Sequence, residues 1–376
     1  LTLKAEKIPS FKQGEELDCI IAHWCQFAPG KSGMYETVKE LVKYENRING
    51  VLAGIVEPMD RPDCQKGGKI DPIDDDIVTQ SWNWGFQDAT VHMVHFTQLP
   101  YIARLKPRVF MVHGSLEASL YSELDPSQHK FSSISTAVQL INSCDASIAL
   151  HRRQYFLYKQ FDYSNRLSHI RRGVDLERWK PKGAKMNLDG KPAVLYGEVW
   201  RHMKDPLLTF YAMYEYARRH PEAKFHIFNC NEYYDTWKSL LEMGRFYEML
   251  GVHGLGGHQT FPEHWYRGAH MLISPVMTGE DSRVAIESLA CGTPVITWDS
   301  NPYDDYEPTA KAKPFDINDM AEQVAKIWDK MELNETKVRK ECVVYARENF
   351  DMSCTAQLVV KLCRSLKGGE TEHGRP

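Results

Sequence analysis

Residues 275–296 read Pro-Val-Met-Thr-Gly-Glu-Asp-Ser-Arg-Val-Ala-Ile-Glu-Ser-Leu-Ala-Cys-Gly-Thr-Pro-Val-Ile, and their order decides the fold. An apolar run ending at Ser274-Pro275 gives way to a Gly/Asp/Ser turn. A helix is expected from Arg283 to Cys291-Gly292, followed by a strand from Pro294-Val295-Ile296. Glu280 falls in the turn and Glu287 on the helix. The unpaired N–H groups at such a helix start suit an anion above the turn.

The same alternation spreads outward. Ala193-Val194-Leu195-Tyr196-Gly197 reads as a strand, followed by a helix over 207–219, a strand at 224–228, a helix around 236–250 and a strand at 295–298. The first half repeats the order. An apolar strand at Asp18 to His23 leads through the loop Ala28 to Gly33 into a helix from Met34 to Tyr44, then a strand at 51–56. Further strands are expected near Met93 to His95, Val109 to Val112 and Ala146 to Leu150. Strand–glycine loop–helix–strand order opens a parallel α/β domain. Residues between Pro58 and Thr79 are polar and rich in Pro, Gly and Asp, and read as an excursion or lid-like loop. There is no internal repeat at solenoid periods.

A chain of 376 residues is too long for one small core and suits two domains. The expected division is a first domain over 1–185 and a second over 192–350. The amphipathic run in 351–367 reads as a helix returning to the first domain, and 368–376 as a disordered tail. A net charge of −4 demands neither nucleic acid nor an anionic membrane as partner. The pairs Arg152-Arg153, Arg171-Arg172 and Arg218-Arg219 read as solvated faces. Nine scattered cysteines without a Cys-x-x-Cys argue for a reducing compartment, so a cytoplasmic enzyme is the expectation. No apolar run approaches the roughly 20 residues that span a bilayer. The chain opens on Leu1 rather than Met, which leaves room for a lost targeting segment.

The run Glu287-Ser288-Leu289-Ala290-Cys291-Gly292-Thr293-Pro294-Val295-Ile296 resembles the donor-sugar motif of family-4 glycosyltransferases. Ile170 to Pro181, with Gly173-Val174-Asp175 inside it, is similar to the signature before that family's interdomain linker. The resemblance covers most of the chain and is strongest in the second half. It implies a GT-B fold, two Rossmann-like doubly wound domains facing each other across a cleft. It also implies a retaining transferase with an acceptor-side first domain and a nucleotide-sugar second domain. The family spacing places its first Glu at Gly279, so Glu280 stands one residue late.

Within the resemblance, Glu280 addresses the sugar and Glu287 holds the ribose, a bidentate task that suits a carboxylate. Asp281 is the alternative to Glu280, and Ser282 and Arg283 join the donor-binding set. Gly197-Glu198-Val199-Trp200-Arg201-His202-Met203-Lys204-Asp205-Pro206 looks like the family's Gly-Arg-x-x-x-x-Lys-Gly loop, which clamps the diphosphate. Its Arg position is occupied by Glu198, so the clamp is assigned to Arg201 and Lys204. Gly33, at the first helix start, would let a phosphate approach the backbone. His113, after the strand 109–112, corresponds to a His that points at the sugar. His23, His92 and His95 have weaker claims.

The bland alternatives are a strand-end histidine, solvated loop charges, and carboxylates favoured by a helix macrodipole. Asp74-Asp75-Asp76 reads as a solvated acidic loop, so no catalytic metal and no cofactor is expected. The donor expected from family frequency is a UDP-hexose, although GDP and ADP donors share these motifs. The acceptor is an unidentified hydroxyl on a glycan, lipid, small molecule or modified nucleic acid. Rival readings are a nucleotide-sugar epimerase or a phosphorylase on the same scaffold, a transferase acting on modified DNA bases, and a non-catalytic relative. Trp82-Asn83-Trp84-Gly85-Phe86 is the stretch that could stack on bases.

Overall fold

The computed structural model describes residues 14, 16–25, 33–57, 71–74, 77–81, 89–95, 105–113, 134–198, 204–227, 261–276, 282–299 and 309–367. They fall into two compact units. One draws on the chain up to Gly173 and from Met352 onward, the other on Val174–Asp351.

The first unit is built on β1 (Cys19–Trp24), β2 (Val51–Glu57), β3 (Asp71–Asp74), β4 (Ile77–Ser81), β5 (Val91–Val94), β6 (Arg108–Val112), β7 (Ala146–Ala149) and β8 (Leu167–His169). They form one sheet in the order β3-β4-β2-β1-β5-β6-β7-β8, parallel except for the β3–β4 pair. Its central strands are short apolar runs because both faces are covered, as parallel sheets require. One face packs on α1 (Gly33–Glu45), through Tyr35, Val38, Leu41 and Val42. The other carries α2 (Ile134–Ser143) and α3 (Arg152–Lys159), with Ile141 and Tyr158 in the core.

The segment read as a loop between Pro58 and Thr79 contains β3 at the sheet edge and part of β4 beside it. Polarity concealed β3, since an edge strand tolerates Asp and Pro that a central strand rejects.

The second unit has β9 (Ala193–Tyr196), β10 (Lys224–Ile227), β11 (Met271–Ile273), β12 (Val295–Trp298) and β13 (Ala310–Ala312), all parallel in the order β10-β9-β11-β12-β13. Its helices are α4 (Pro206–Arg219), α5 (Pro262–Gly268), α6 (Arg283–Ala290) and α7 (Ile317–Asn349). Gly292 ends α6 at φ +84°, the left-handed turn that glycine tolerates. The long α7 was not anticipated from sequence. It kinks at Asn334, whose side-chain oxygen caps the following turn by accepting from Lys337 N at 3.0 Å. The helix expected around 236–250 lies outside the described residues.

The units change at Gly173/Val174, whereas the sequence suggested 185–192. Residues 174–184 are tied into the second unit by two means. Trp179 is buried there, and the Arg267 guanidinium donates to the carbonyls of Lys180, Ala184 and Arg178. The last helix, α8 (Met352–Lys367), buries Met352, Ala356, Val359, Val360 and Cys363 in the first unit's core. It arrives over Gly173, where an added Cβ would stand 2.5 Å from Met352 Cα.

Candidate functional site

Two clusters of polar side chains gather at strand ends, one in each unit. Ligands of open α/β sheets bind at the carboxyl ends of the strands.

In the second unit, β9 ends at Tyr196 and delivers Gly197-Glu198. The Glu198 carboxylate is buried and fully engaged. Its Oε1 accepts from Ser274 Oγ at 2.5 Å and also from Ser282 Oγ, while Oε2 lies 3.3 Å from Lys204 Nζ. Three elements therefore meet on one acid: the end of β9, the residue after β11 and the N-cap of α6. Ser282 does not cap α6 with its side chain, because its hydroxyl is spent on Glu198.

Lys204 is held from both ends. Its carbonyl accepts from Tyr196 Oη at 3.2 Å and its ammonium faces Glu198. The next residue, Asp205, is structural. It caps α4 by accepting from Leu208 N at 3.4 Å, and its other oxygen accepts from Trp298 Nε1 at 2.8 Å. Burial raises its carboxyl pKa above the ordinary carboxylate value.

One turn into α6 a second acid is gripped. Glu287 Oε1 accepts from Arg283 Nε at 2.5 Å and Oε2 accepts from Tyr266 Oη at 3.1 Å. The i, i+4 spacing puts Arg283 and Glu287 on one face of the helix. Burial, then the charges of Glu287 and Glu198, push the Tyr266 phenol well above its usual pKa, so it stays a donor. A carboxylate has about four lone-pair sites. Glu287 uses one on each oxygen for these two partners.

In the first unit, His113 follows β6 and His95 follows β5, while His23 is the penultimate residue of β1. These three strands are neighbours in the sheet. His113 Nε2 lies 2.7 Å from His95 Nδ1, and His95 Nε2 lies 2.9 Å from His23 Nδ1. His23 Nε2 in turn lies 2.7 Å from Oε2 of the buried Glu45, in the last turn of α1. Burial drives the His95 and His113 pKa values well below the usual imidazole range, so both rings are neutral at pH 7. His92 stands apart, accepting from Trp24 Nε1 at 3.3 Å, with its pKa lowered to about 4 by burial. Gly33 is the exposed first residue of α1.

The structure thus brings Lys204, Ser282, Arg283 and Glu287 into one unit, linked through Glu198 and Tyr266, and sets His113 and Gly33 in the other. Arg201, Glu280 and Asp281 lie outside the described residues, as do Trp82 to Phe86 and Asp75-Asp76. Sequence reasoning missed Glu198 as the hub, Tyr266 as a partner and Glu45 as the end of a histidine chain. One available signal was that Ile-Ile-Ala-His, Met-Val-His and Met-Val-His each close an apolar strand. Among the described residues no group of three or more His, Cys, Asp and Glu is placed to hold a metal ion. No described helix is long and apolar enough to cross a membrane.

Two parallel α/β units joined in this order are the architecture of the GT-B glycosyltransferases, and the chain has that fold. It is similar to a sucrose-phosphate synthase from Thermosynechococcus elongatus at TM-score 0.74 and 15% identity, over 94% of this chain and 100% of that one. A glycosyltransferase from Rickettsia africae aligns at 0.68 and 13%, over 94% and 99% of the two chains. HepE from Anabaena, in complex with UDP-glucose, aligns at 0.66 and 15%, over 92% and 100%. No protein-family model matches the sequence, and no curated protein matches it.

Proposed function

We propose that this protein is a retaining glycosyltransferase moving a hexose from a nucleoside-diphosphate sugar, with UDP as the nucleotide, to a hydroxyl acceptor. The observation that carries the reading is the cluster of half-buried Lys204 with buried Ser282, Arg283 and Glu287 around the start of α6. It lies on a fold whose solved examples include one holding UDP-glucose. In this reading the second unit takes the nucleotide sugar and the first takes the acceptor.

Glu287 accepts the ribose hydroxyls, its orientation fixed by Arg283 and Tyr266 before any ligand arrives. The start of α6 and Lys204 face the diphosphate, with Arg201 as the second cation. Sugar transfer builds negative charge on the departing phosphate, so cations placed beforehand lower the barrier most. Glu198, standing where the family pattern has Arg, serves as the holder that keeps Lys204 extended, and it yields Lys204 to the phosphate when donor binds. Glu280, or Asp281 in its place, addresses the sugar, and His113 accepts from a sugar hydroxyl. The leaving diphosphate assists deprotonation of an acceptor arriving on the same face. No metal takes part in this scheme, and the enzyme acts in the cytoplasm.

The test is a thermal-shift panel of nucleotide sugars with and without EDTA, followed by an acceptor screen with the sugar nucleotide that binds. Saturating donor at 100 times its dissociation constant stabilises by roughly 2.7 kcal/mol. A panel in which no sugar nucleotide raises the melting temperature would sink the reading, and loss of the shift in EDTA would sink its metal-free part. The Glu198–Lys204 pair favours one second reading, a relative that binds the donor without turning it over. Slow donor hydrolysis in the absence of acceptor counts against that.

A further inference from the structure

The histidine chain of the first unit has an order that its end group dictates. Glu45 is buried, and its Oε2 faces His23 Nε2. An ionised carboxylate can only accept, so a neutral His23 carries its single proton on Nε2 and presents Nδ1 as a lone pair. His95 must then donate from Nε2 and present Nδ1, and His113 must do the same. The last ring ends with an unprotonated Nδ1. That atom is buried and has no hydrogen-bond partner among the described residues. A buried acceptor without a donor is costly and calls for a ligand, ion or water. The chain is not explained by helix stability either, because the macrodipole disfavours an anion in the last turn of α1.

We propose that Glu45, His23 and His95 are positioning residues that lock His113 in its Nε2–H tautomer and so present its Nδ1 lone pair to a hydroxyl of the bound sugar. This deepens the glycosyltransferase reading and rests on it for the identity of the hydroxyl. The tautomer lock itself does not.

Neutrality is what makes the order a lock, since a second proton on a ring would turn its acceptor nitrogen into a donor and undo the order beyond it. Burial holds the last two rings neutral. It acts first on His113, and the Arg172 guanidinium adds to it. His95 is lowered first by burial as well. Near Glu45 stand the thiols of Cys19 on β1 and Cys363 on α8, both pushed up and therefore uncharged. A carboxylate fixing the tautomer of a functional imidazole is an established device; here it acts through two further rings.

The experiment is nitrogen-15 NMR of the full chain labelled at histidine, at neutral pH, with resonances assigned from single His→Gln variants. His23, His95 and His113 should each show a protonated Nε2 and an unprotonated Nδ1. An Nδ1–H form of His113, or an even mixture, would overturn the lock. Glu45→Gln can donate as well as accept, so it should convert the single His113 pattern into a mixture while the fold persists. An unchanged His113 in that variant would mean that Glu45 does not control it. UDP-glucose at saturation should then move His113 Nδ1 towards the hydrogen-bonded position, and UDP alone should leave it in place. If UDP-glucose binds and leaves Nδ1 unmoved, the hydroxyl assignment is wrong. If no nucleotide sugar binds while the tautomer pattern holds, the transferase reading and the hydroxyl assignment fail together and the lock stands.

Discussion

In the first unit, the carboxyl ends of β1, β5 and β6 hold three histidines in line behind one glutamate. In the second, the end of β9 and the start of α6 hold two glutamates, each matched to a cation, Lys204 for Glu198 and Arg283 for Glu287. Both solutions pair buried polar groups at the end of a parallel sheet, and they do so with different physics. The histidine chain passes one hydrogen-bond direction from ring to ring, with two of its rings held neutral. The glutamate cluster is made of opposed charges whose desolvation is offset only while both partners remain. The first should therefore respond to protons, and the second to removal of a partner.

The largest effect belongs to Lys204. Lys204→Ala strands the buried Glu198 carboxylate, and breaking a buried pair costs about 3–5 kcal/mol. It also removes a cation assigned to the leaving phosphate, a further loss of about 2–4 kcal/mol in transition-state stabilisation. The two losses are separable. Lys204→Met combined with Glu198→Gln removes both charges, so denaturant unfolding should show most of the stability restored, while turnover stays low. Recovery of turnover along with stability would take Lys204 out of the catalytic set. Arg201→Ala should lower turnover, read by the same assay.

Next come the acids of the donor motif. Glu287→Gln should weaken free UDP and the sugar nucleotide together, by about tenfold or more, equivalent to roughly 1.4 kcal/mol. Glu280→Ala should leave free UDP binding nearly unchanged and cut turnover, because UDP lacks the sugar it addresses. Isothermal titration with UDP and with the sugar nucleotide separates the two. Equal losses of UDP affinity in both variants would contradict the division of labour. A sugar-specific loss in Asp281→Ala instead would move the assignment one residue along.

The same contrast explains what could be read in advance. The central strands were legible because a parallel strand covered on both faces is a nearly continuous apolar run, as in Val109 to Val112 and Ala193 to Tyr196. The segment 71–74 was not, since the edge strand β3 needs no such run. Glu287, Lys204 and His113 could be singled out as candidates because their neighbours in sequence form a motif. Glu198 was read as a departure from a pattern, and only the meeting of β9, β11 and α6 shows it as a hub. Glu45, His23, His95 and His113 are spread across the chain, and strand order alone brings them into line. Such order is a long-range property that local spacing does not encode.

The smallest effect is the pH response, and it discriminates between the units. His92, His95 and His113 all have folded pKa values below the free imidazole value of 6.5, lowered first by burial. The unfolded chain therefore binds more protons than the folded one once pH falls below about 6.5, and stability must drop as pH falls through that window. Each such group contributes at most about 1.4 kcal/mol per pH unit. In the second unit His270 is lowered too, by burial and by Arg339. That unit also contains Asp205, whose raised carboxyl pKa acts in the opposite direction, adding stability as the acid is protonated. Asp162 in the first unit and Glu335 in the second are held below their usual values by hydrogen bonds and titrate beneath this window. Between pH 7 and pH 5, hydrogen exchange in β1, β5 and β6 should accelerate more than in β9, β11 and β12, after correction for the intrinsic pH dependence of exchange. Equal acceleration in the two sheets would mean that the buried imidazoles of the first unit are not kept neutral at the expense of its stability.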